Sequence, residues 1–164
     1  IFRFLTNQKL LQGEEPALFK GVDLEEIKSM KRAFLQEANL EGTILIGLDF
    51  TEADLSKANL KGALLMNAHL IKANLTECIA RKANLSQADL RQAKLVNANL
   101  EGANLEKANL SYANLKKADL RSANLSNTIL YQTNFREAKY NPDTTQFPAS
   151  FADEIYDIMI QVND

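Results

Sequence analysis

The sequence has few of the residues on which catalytic and metal sites are usually built. Its 164 residues include one Cys, one His, three Pro and no Trp. The single Cys excludes an intrachain disulfide. No Gly-rich phosphate loop, Cys-x-x-Cys or His-x-x-His pattern occurs. We therefore predict that the protein is not an enzyme and that it holds no cofactor and no metal.

Long apolar runs and a large net charge are also absent. No run of 18 apolar residues occurs, so we expect no membrane span, and no signal peptide is visible. The net charge is −2 at pH 7. Residues 33–138 carry 12 Lys/Arg and 11 Asp/Glu, a net of +1, while residues 139–164 carry one positive and five negative residues, a net of −4. Most of the surface is therefore mixed in sign.

What the sequence does have is a five-residue period. From Ala33 to Ala138 the unit Ala-Asn/Asp-Leu-x-x repeats without an insertion. We call the Leu position the centre of each unit. Centres run from Leu35 to Phe135, and every one is Leu or Phe except Ala80. The position two before the centre is Ala in most units.

The period indicates a solenoid of short strands. Within a unit, Ala and Leu are two residues apart and point the same way, while the Asn or Asp between them points the other way. The last two residues can turn a corner, and such units bury their apolar side only by stacking. An α-helix is excluded, because a five-residue step rotates by about 500° and would wind the leucines around the whole surface.

The repeat resembles the pentapeptide-repeat family, and in particular its cyanobacterial members. The resemblance covers 106 of the 164 residues. It implies an all-β fold, a right-handed quadrilateral β-helix with four units in each 20-residue coil, here about five to six coils. The centre and the residue two before it would point inward. Family members occur in several compartments. The chain starts with Ile rather than Met, as a processed form or a fragment would, so a cytoplasmic and a thylakoid-lumenal or periplasmic location both remain open.

We divide the chain into three parts. Residues 1–32 are predicted to form an N-terminal cap and an irregular first coil, with the irregularity around Glu25 to Lys31. Residues 33–138 form the β-helix. Residues 139–164 form a loop, with a turn at residues 140–143, and a capping helix from Ser150 to about Val162 whose apolar stripe covers the end of the tube. Tyr156 and Ile160 lie off that stripe and are candidate contacts for a homodimer through the C-terminal end.

The outward positions of the repeat are mostly polar, and the exceptions are the candidate site. An apolar cluster interrupts the polar pattern on one face and around the next corner, and such a cluster usually covers something or is covered. It consists of Ile44, Ile46, Leu64, Met66 and Ile71. Two interpretations stay open: residues 1–20 fold back over it, or it binds a protein partner. Tyr112, Ile129 and Tyr131 form a second, weaker cluster.

Three other features are interpreted as structural. His69 is an outward residue between Asp49 and Asp89 of the neighbouring coils, too few ligands for a metal site. Cys78 replaces an inward Ala and should be a small buried residue. The third feature is a set of corner glycines, interpreted as turn residues, at positions 42, 62 and 102.

The resemblance favours a non-enzymatic structural or protein-interaction module with an unidentified protein partner. The alternative is a DNA mimic that binds DNA gyrase or a topoisomerase, as some family members do. Duplex DNA carries one negative charge per about 1.7 Å, and a nearly neutral coil reproduces this poorly. Nucleic-acid binding is also disfavoured, because acidic residues interrupt the one basic stripe. That stripe consists of Lys57, Lys116, Lys117 and Arg136, and its interruptions are Asp54, Glu77 and Glu137.

Overall fold

A ladder of parallel β-bridges runs through the protein. The structure, a computed structural model, describes residues 29–150 and 158–162. Bridges join residues 20 apart, from Ser29–Asp49 to Asp119–Lys139, and bridge positions recur every five residues. Each 20-residue coil therefore contributes one rung to each of four faces. The predicted all-β, right-handed quadrilateral β-helix is confirmed.

We number the faces by their bridge residues, which lie immediately before the centres. Face 1 has residues 29 to 129, face 2 residues 34 to 134, face 3 residues 39 to 139 and face 4 residues 44 to 124, each in steps of 20. The residues one and two after a centre are called the post-centre and corner residues.

The inside of the tube is filled by columns of Leu and Ala. Leu60, Ala63 and Leu65 are each at most 1% exposed, and the same holds for most centres and for the alanines between them. Backbone bonds link the interior rungs to both neighbouring coils: the Asn59 N–H donates to the Ala38 carbonyl at 2.9 Å, and the Leu60 N–H donates to the Ile79 carbonyl at 2.7 Å. The interior is thus close-packed and its backbone is paired.

The corners adopt left-handed backbone conformations. Gly42, Gly62 and Gly102 have φ of 65–66°, which confirms their prediction as turn residues. Eighteen non-glycine residues, all of them at corners, also have φ of 51–60°. A left-handed L-residue costs about 1–2 kcal/mol. The coil tolerates this cost because each corner closes with a backbone bond, such as the 2.9 Å bond from the Ala63 N–H to the Leu60 carbonyl.

The Asn or Asp that precedes most centres stabilises the turn that follows. The Oδ1 of Asn84 accepts a hydrogen bond from the Ser86 N–H at 3.1 Å, and the same contact recurs along all four faces. Some of these side chains also bond to one another between coils, as Asn59 Nδ2 does to Asn39 Oδ1 at 3.3 Å. The consensus Asn is therefore explained by local backbone bonding rather than by chemistry at the surface.

The ladder begins earlier than predicted. Ser29 bridges Asp49, and Met30, 3% exposed, occupies a centre position five residues before Leu35. Lys31 consequently belongs to a regular rung, and the boundary at residue 32 was placed one unit too late. The rest of the predicted irregular segment, before Ser29, lies outside the described residues.

The repeat also continues beyond Ala138. Tyr140 is buried at the next centre position and belongs to strand β1, Lys139–Tyr140, so it is not part of a turn as predicted. The next bridge, Asn124–Gln146, spans 22 residues instead of 20. The additional residues form a turn held by Asn141, whose carbonyl accepts the Thr145 N–H at 2.8 Å.

The C-terminal residues add one more rung on face 3. Strand β2, Ile160–Gln161, pairs in parallel with β1, and the Ile160 N–H donates to the Ala138 carbonyl at 2.7 Å. The predicted helix therefore does not extend to Val162, because residues 160–161 are a strand. Residues 151–157 lie outside the described residues. Within the described part, no helix is long and apolar enough to cross a membrane.

Candidate interaction surfaces

The apolar side chains predicted on one face do lie together on face 4. Ile44 and Leu64 are bridge partners on successive coils, and Ile46 and Met66 are the post-centre residues of the same two rungs. We call these four residues the N-terminal apolar patch. All four are half-buried. Face 4 then becomes polar, with Asn84, Asn104 and Asn124 continuing the bridge column.

Residues of this patch take the place of side chains that stabilise the turn by a hydrogen bond. On the polar rungs of face 4 the side chain before the centre accepts a backbone hydrogen bond, as Asn84 and Asn104 do at 3.1 and 3.0 Å. Ile44 and Leu64 have no acceptor atom, so these two rungs lack that bond. A hydrogen bond of this kind contributes about 0.5–1.5 kcal/mol. The aliphatic residues are thus not what the local fold favours.

The remaining predicted contact residues are more scattered. Ile71 is the post-centre residue of face 1, around the next corner, and is half-buried. Ile160 lies in β2 and is 47% exposed, so it is accessible at the C-terminal end. Tyr156 lies outside the described residues.

The second apolar cluster predicted from the sequence is more exposed than the N-terminal apolar patch. Tyr112, Ile129 and Tyr131 are 51%, 53% and 60% exposed, and the two tyrosine rings meet edge-to-face with centroids 5.4 Å apart. Phe34 on face 2 and Ile79 on face 3 are exposed as well, and sequence reasoning missed both. A large apolar residue in place of the consensus Asn was the signal that could have identified them.

Charges on face 3 compensate one another along the coil axis. Lys61 lies 3.6 Å from Glu41, and Arg81 and Arg121 lie 2.7 and 3.6 Å from Glu101. Partial burial raises the pKa of Asp119, but the hydrogen bonds from Arg121 outweigh it and hold that pKa below its usual value. The described part of face 3 therefore shows no acidic stripe of the kind that a DNA mimic would need.

The titratable residues singled out in the sequence form no reactive site. His69 is exposed between its bridge partners Asp49 and Asp89, and among the described residues no group of His, Cys, Asp and Glu could hold a metal ion. Cys78 is buried, which raises the pKa of its thiol to about 12. A thiol with that pKa is not a nucleophile near neutral pH.

Comparison with known proteins identifies the repeat. The family model of pentapeptide repeats in eight copies matches residues 33–70, 68–106 and 98–137. No curated protein sequence matches the chain significantly.

Several solved structures are similar to the chain. The cyanobacterial pentapeptide repeat protein Rfr23 from Cyanothece 51142 is 28% identical over 78% of this chain and 86% of its own, with a TM-score of 0.47. A pentapeptide repeat protein of the Arabidopsis thaliana thylakoid lumen is 30% identical over 65% and 70%, with a TM-score of 0.36. HetL from the cyanobacterium Nostoc sp. PCC 7120, involved in regulating heterocyst differentiation, is 32% identical over 76% and 70%, with a TM-score of 0.28. With the 20-residue coil, its inward Leu and Ala columns and the family match over residues 33–137, the chain belongs to the pentapeptide-repeat family.

Proposed function

We propose that this protein is a non-enzymatic interaction module that binds a protein partner through the N-terminal apolar patch on face 4. The observation that carries the proposal is the replacement of the turn-stabilising Asn by Ile44 and Leu64 on two successive rungs. Ile46 and Met66 extend the same patch, and an apolar patch on an otherwise polar face favours binding. The β-helix supplies a rigid, flat support for it.

Two occupants of the patch have to be distinguished. Residues 1–20 contain several apolar side chains and are the intramolecular candidate. Deletion of residues 1–20 would lower the thermal stability if they cover the patch, and would leave it unchanged if the patch is free for a partner. We expect no change in melting temperature.

The experiment that tests the proposal is a pull-down from native lysate. The variant Leu64→Glu/Met66→Glu should lose a specific partner that the wild type retains, because a carboxylate in an apolar contact is costly to desolvate. Asn84→Glu/Ser86→Glu, the same two positions one coil later, is the matched control and should retain the partner. Circular dichroism would verify that both variants keep the fold. Identical partner sets for all three proteins would overturn the proposal.

We also propose that Ile160 contributes to contact between two copies at the C-terminal end. Its side chain is about half exposed on β2, the last rung among the described residues. Multi-angle light scattering tests this. The wild type should show a concentration-dependent dimer and Ile160→Asp a monomer, and a monomeric wild type at all concentrations would contradict it.

A further inference from the structure

We propose that the C-terminal coils carry a second, separate interaction surface, which binds an acidic protein segment that has an apolar anchor. It extends around the corner between faces 1 and 2, over residues 109–137. We call it the C-terminal surface, and it consists of Tyr112, Ile129 and Tyr131 next to Lys116, Lys117 and Arg136.

The face 1 part of this surface is apolar and uncharged. Tyr112 and Tyr131 form an edge-to-face pair with both rings largely accessible, and Ile129 lies in the same rung as Tyr131. Ile129 occupies a position where Asn109, one coil earlier, accepts the Ser111 N–H at 3.0 Å. An exposed aliphatic residue again stands where the local fold favours an Asn. Accessible tyrosines beside an aliphatic residue are suited to hold an apolar anchor.

The face 2 part is positively charged. Lys116, Lys117 and Arg136 surround one carboxylate, that of Glu137, at 3.8, 3.5 and 3.5 Å. Three cations and one carboxylate leave these four described residues with a net charge of +2. Lys94, exposed one coil earlier on the same face, adds to this charge.

The positive charge is confined to one half of face 2. The outward residues of its N-terminal half, over positions 34–77, include Glu37, Asp54 and Glu77 against the single cation Lys57. Within residues 34–137 of face 2, net positive charge therefore occurs in the C-terminal coils, next to Tyr112, Ile129 and Tyr131. A ligand that uses both parts has to present acidic groups and an apolar side chain within a few residues of each other.

The charge of the surface selects the occupant. A second copy that used the same surface would bring two groups of +2 together, which disfavours self-association. Two net positive charges neutralise few phosphates, so nucleic acid would bind weakly. Tyr and Arg are, by contrast, enriched at the energetic centres of protein interfaces. An acidic protein segment fits both parts.

The C-terminal surface is independent of the N-terminal apolar patch. The first lies on faces 1 and 2 from residue 109 onward, and the second lies on face 4 from residue 44 to 66. Different faces at different ends of a rigid rod can be occupied together. The protein would then hold two partners of different chemistry.

Fluorescence anisotropy with short labelled peptides and the full chain tests this inference. The probes are a Glu-rich peptide with two Phe, the same peptide with Ser for Phe, the same peptide with Gln for Glu, and oligo-dT. We expect the Glu/Phe peptide to bind about tenfold or more tighter than each of the others. Lys116→Glu/Arg136→Glu and Tyr131→Ser should each weaken it about tenfold.

Two controls make the outcome decisive. Lys57→Glu changes a cation in the same corner column as Lys117, and Met66→Glu disrupts the N-terminal apolar patch, and both should leave peptide binding unchanged. If Met66→Glu still retains the partner in the pull-down from lysate, the proposed function is contradicted, but the inference about the C-terminal surface is not. The inference is overturned if no peptide binds, if all peptides bind equally, if oligo-dT binds best, or if Lys57→Glu weakens binding as much as the double variant.

Discussion

At the scale of single residues, each repeat unit has some positions that build the fold and others that form the surface. The centre and the residue two before it fill the tube, as Leu65 and Ala63 do with no exposure. The Asn or Asp between them bonds to the backbone of its own turn. Since the inward roles follow from alternation along a short strand, the sequence predicted them, but not the bond of the Asn or Asp side chain to its own turn. It did not predict the degree of exposure, which left Ile44 half-buried and Tyr131 mostly exposed.

The interior should not tolerate a large side chain in an Ala column. Ala63→Phe is expected to reduce the free energy of unfolding by about 1–3 kcal/mol or more, because the close-packed tube leaves no room for a ring. Ala33→Phe, at the partly exposed start of an Ala column, is the control and should cost less. Equal midpoints in chemical denaturation for both variants would contradict the tight interior.

The turn-bonded carboxylates should make stability depend on acid pH. Burial raises the pKa of Asp54, but hydrogen bonds from Ser56, Gln36 and Asn74 outweigh it and lower the net pKa. An Asp whose pKa is lower in the folded state stabilises the fold at pH values above its unfolded-state pKa of about 3.9. That stabilisation is lost as the pH falls through the folded-state pKa. Asp54→Asn keeps the acceptor, so its unfolding free energy should fall less steeply below about pH 4. Parallel pH profiles for variant and wild type would show that Asp54 contributes no such dependence.

At the scale of elements, the regular coil was predictable and its ends were not. Ser29 and Met30 lack the consensus Ala-Asn-Leu letters, although Met30 is in register with Leu35. The additional residues around Asn141 have no counterpart in the repeat. Apolar spacing at the C-terminus resembles a helix, but residues 160–161 pair with β1, because the last coil presents edge carbonyls, at Ala138 and Tyr140, that accept their backbone hydrogen bonds.

The pairing of β2 should protect the end of the coil. Ile160→Pro removes the N–H that bonds to the Ala138 carbonyl and should detach β2. Hydrogen exchange of the amides around Tyr140 is then expected to accelerate, while that of residues 60–100 is unchanged. Gln161→Pro is the control, because neither of the bonds to Ala138 and Tyr140 uses its N–H. Acceleration in both variants alike would indicate that strain at the prolines, not the lost bond, is responsible.

At the scale of the whole molecule, charge argues against DNA mimicry. The coil region is nearly neutral, and face 3 carries charges of both signs rather than an acidic stripe. The protein should therefore give no protection of DNA gyrase in a supercoiling assay with a quinolone. Clear protection at equimolar protein would favour DNA mimicry over binding of a protein partner.

The measurement that tests the proposed function most directly is a glutamate scan down one column of face 4. Ile46, Met66, Ser86 and Ser126 occupy the same post-centre position on different coils, and Glu106 shows that the column accepts a carboxylate. Each residue would be replaced by Glu and partner recovery from lysate quantified by mass spectrometry. We predict that recovery is lost at positions 46 and 66 and retained at 86 and 126. Uniform recovery down the column would contradict binding through the N-terminal apolar patch.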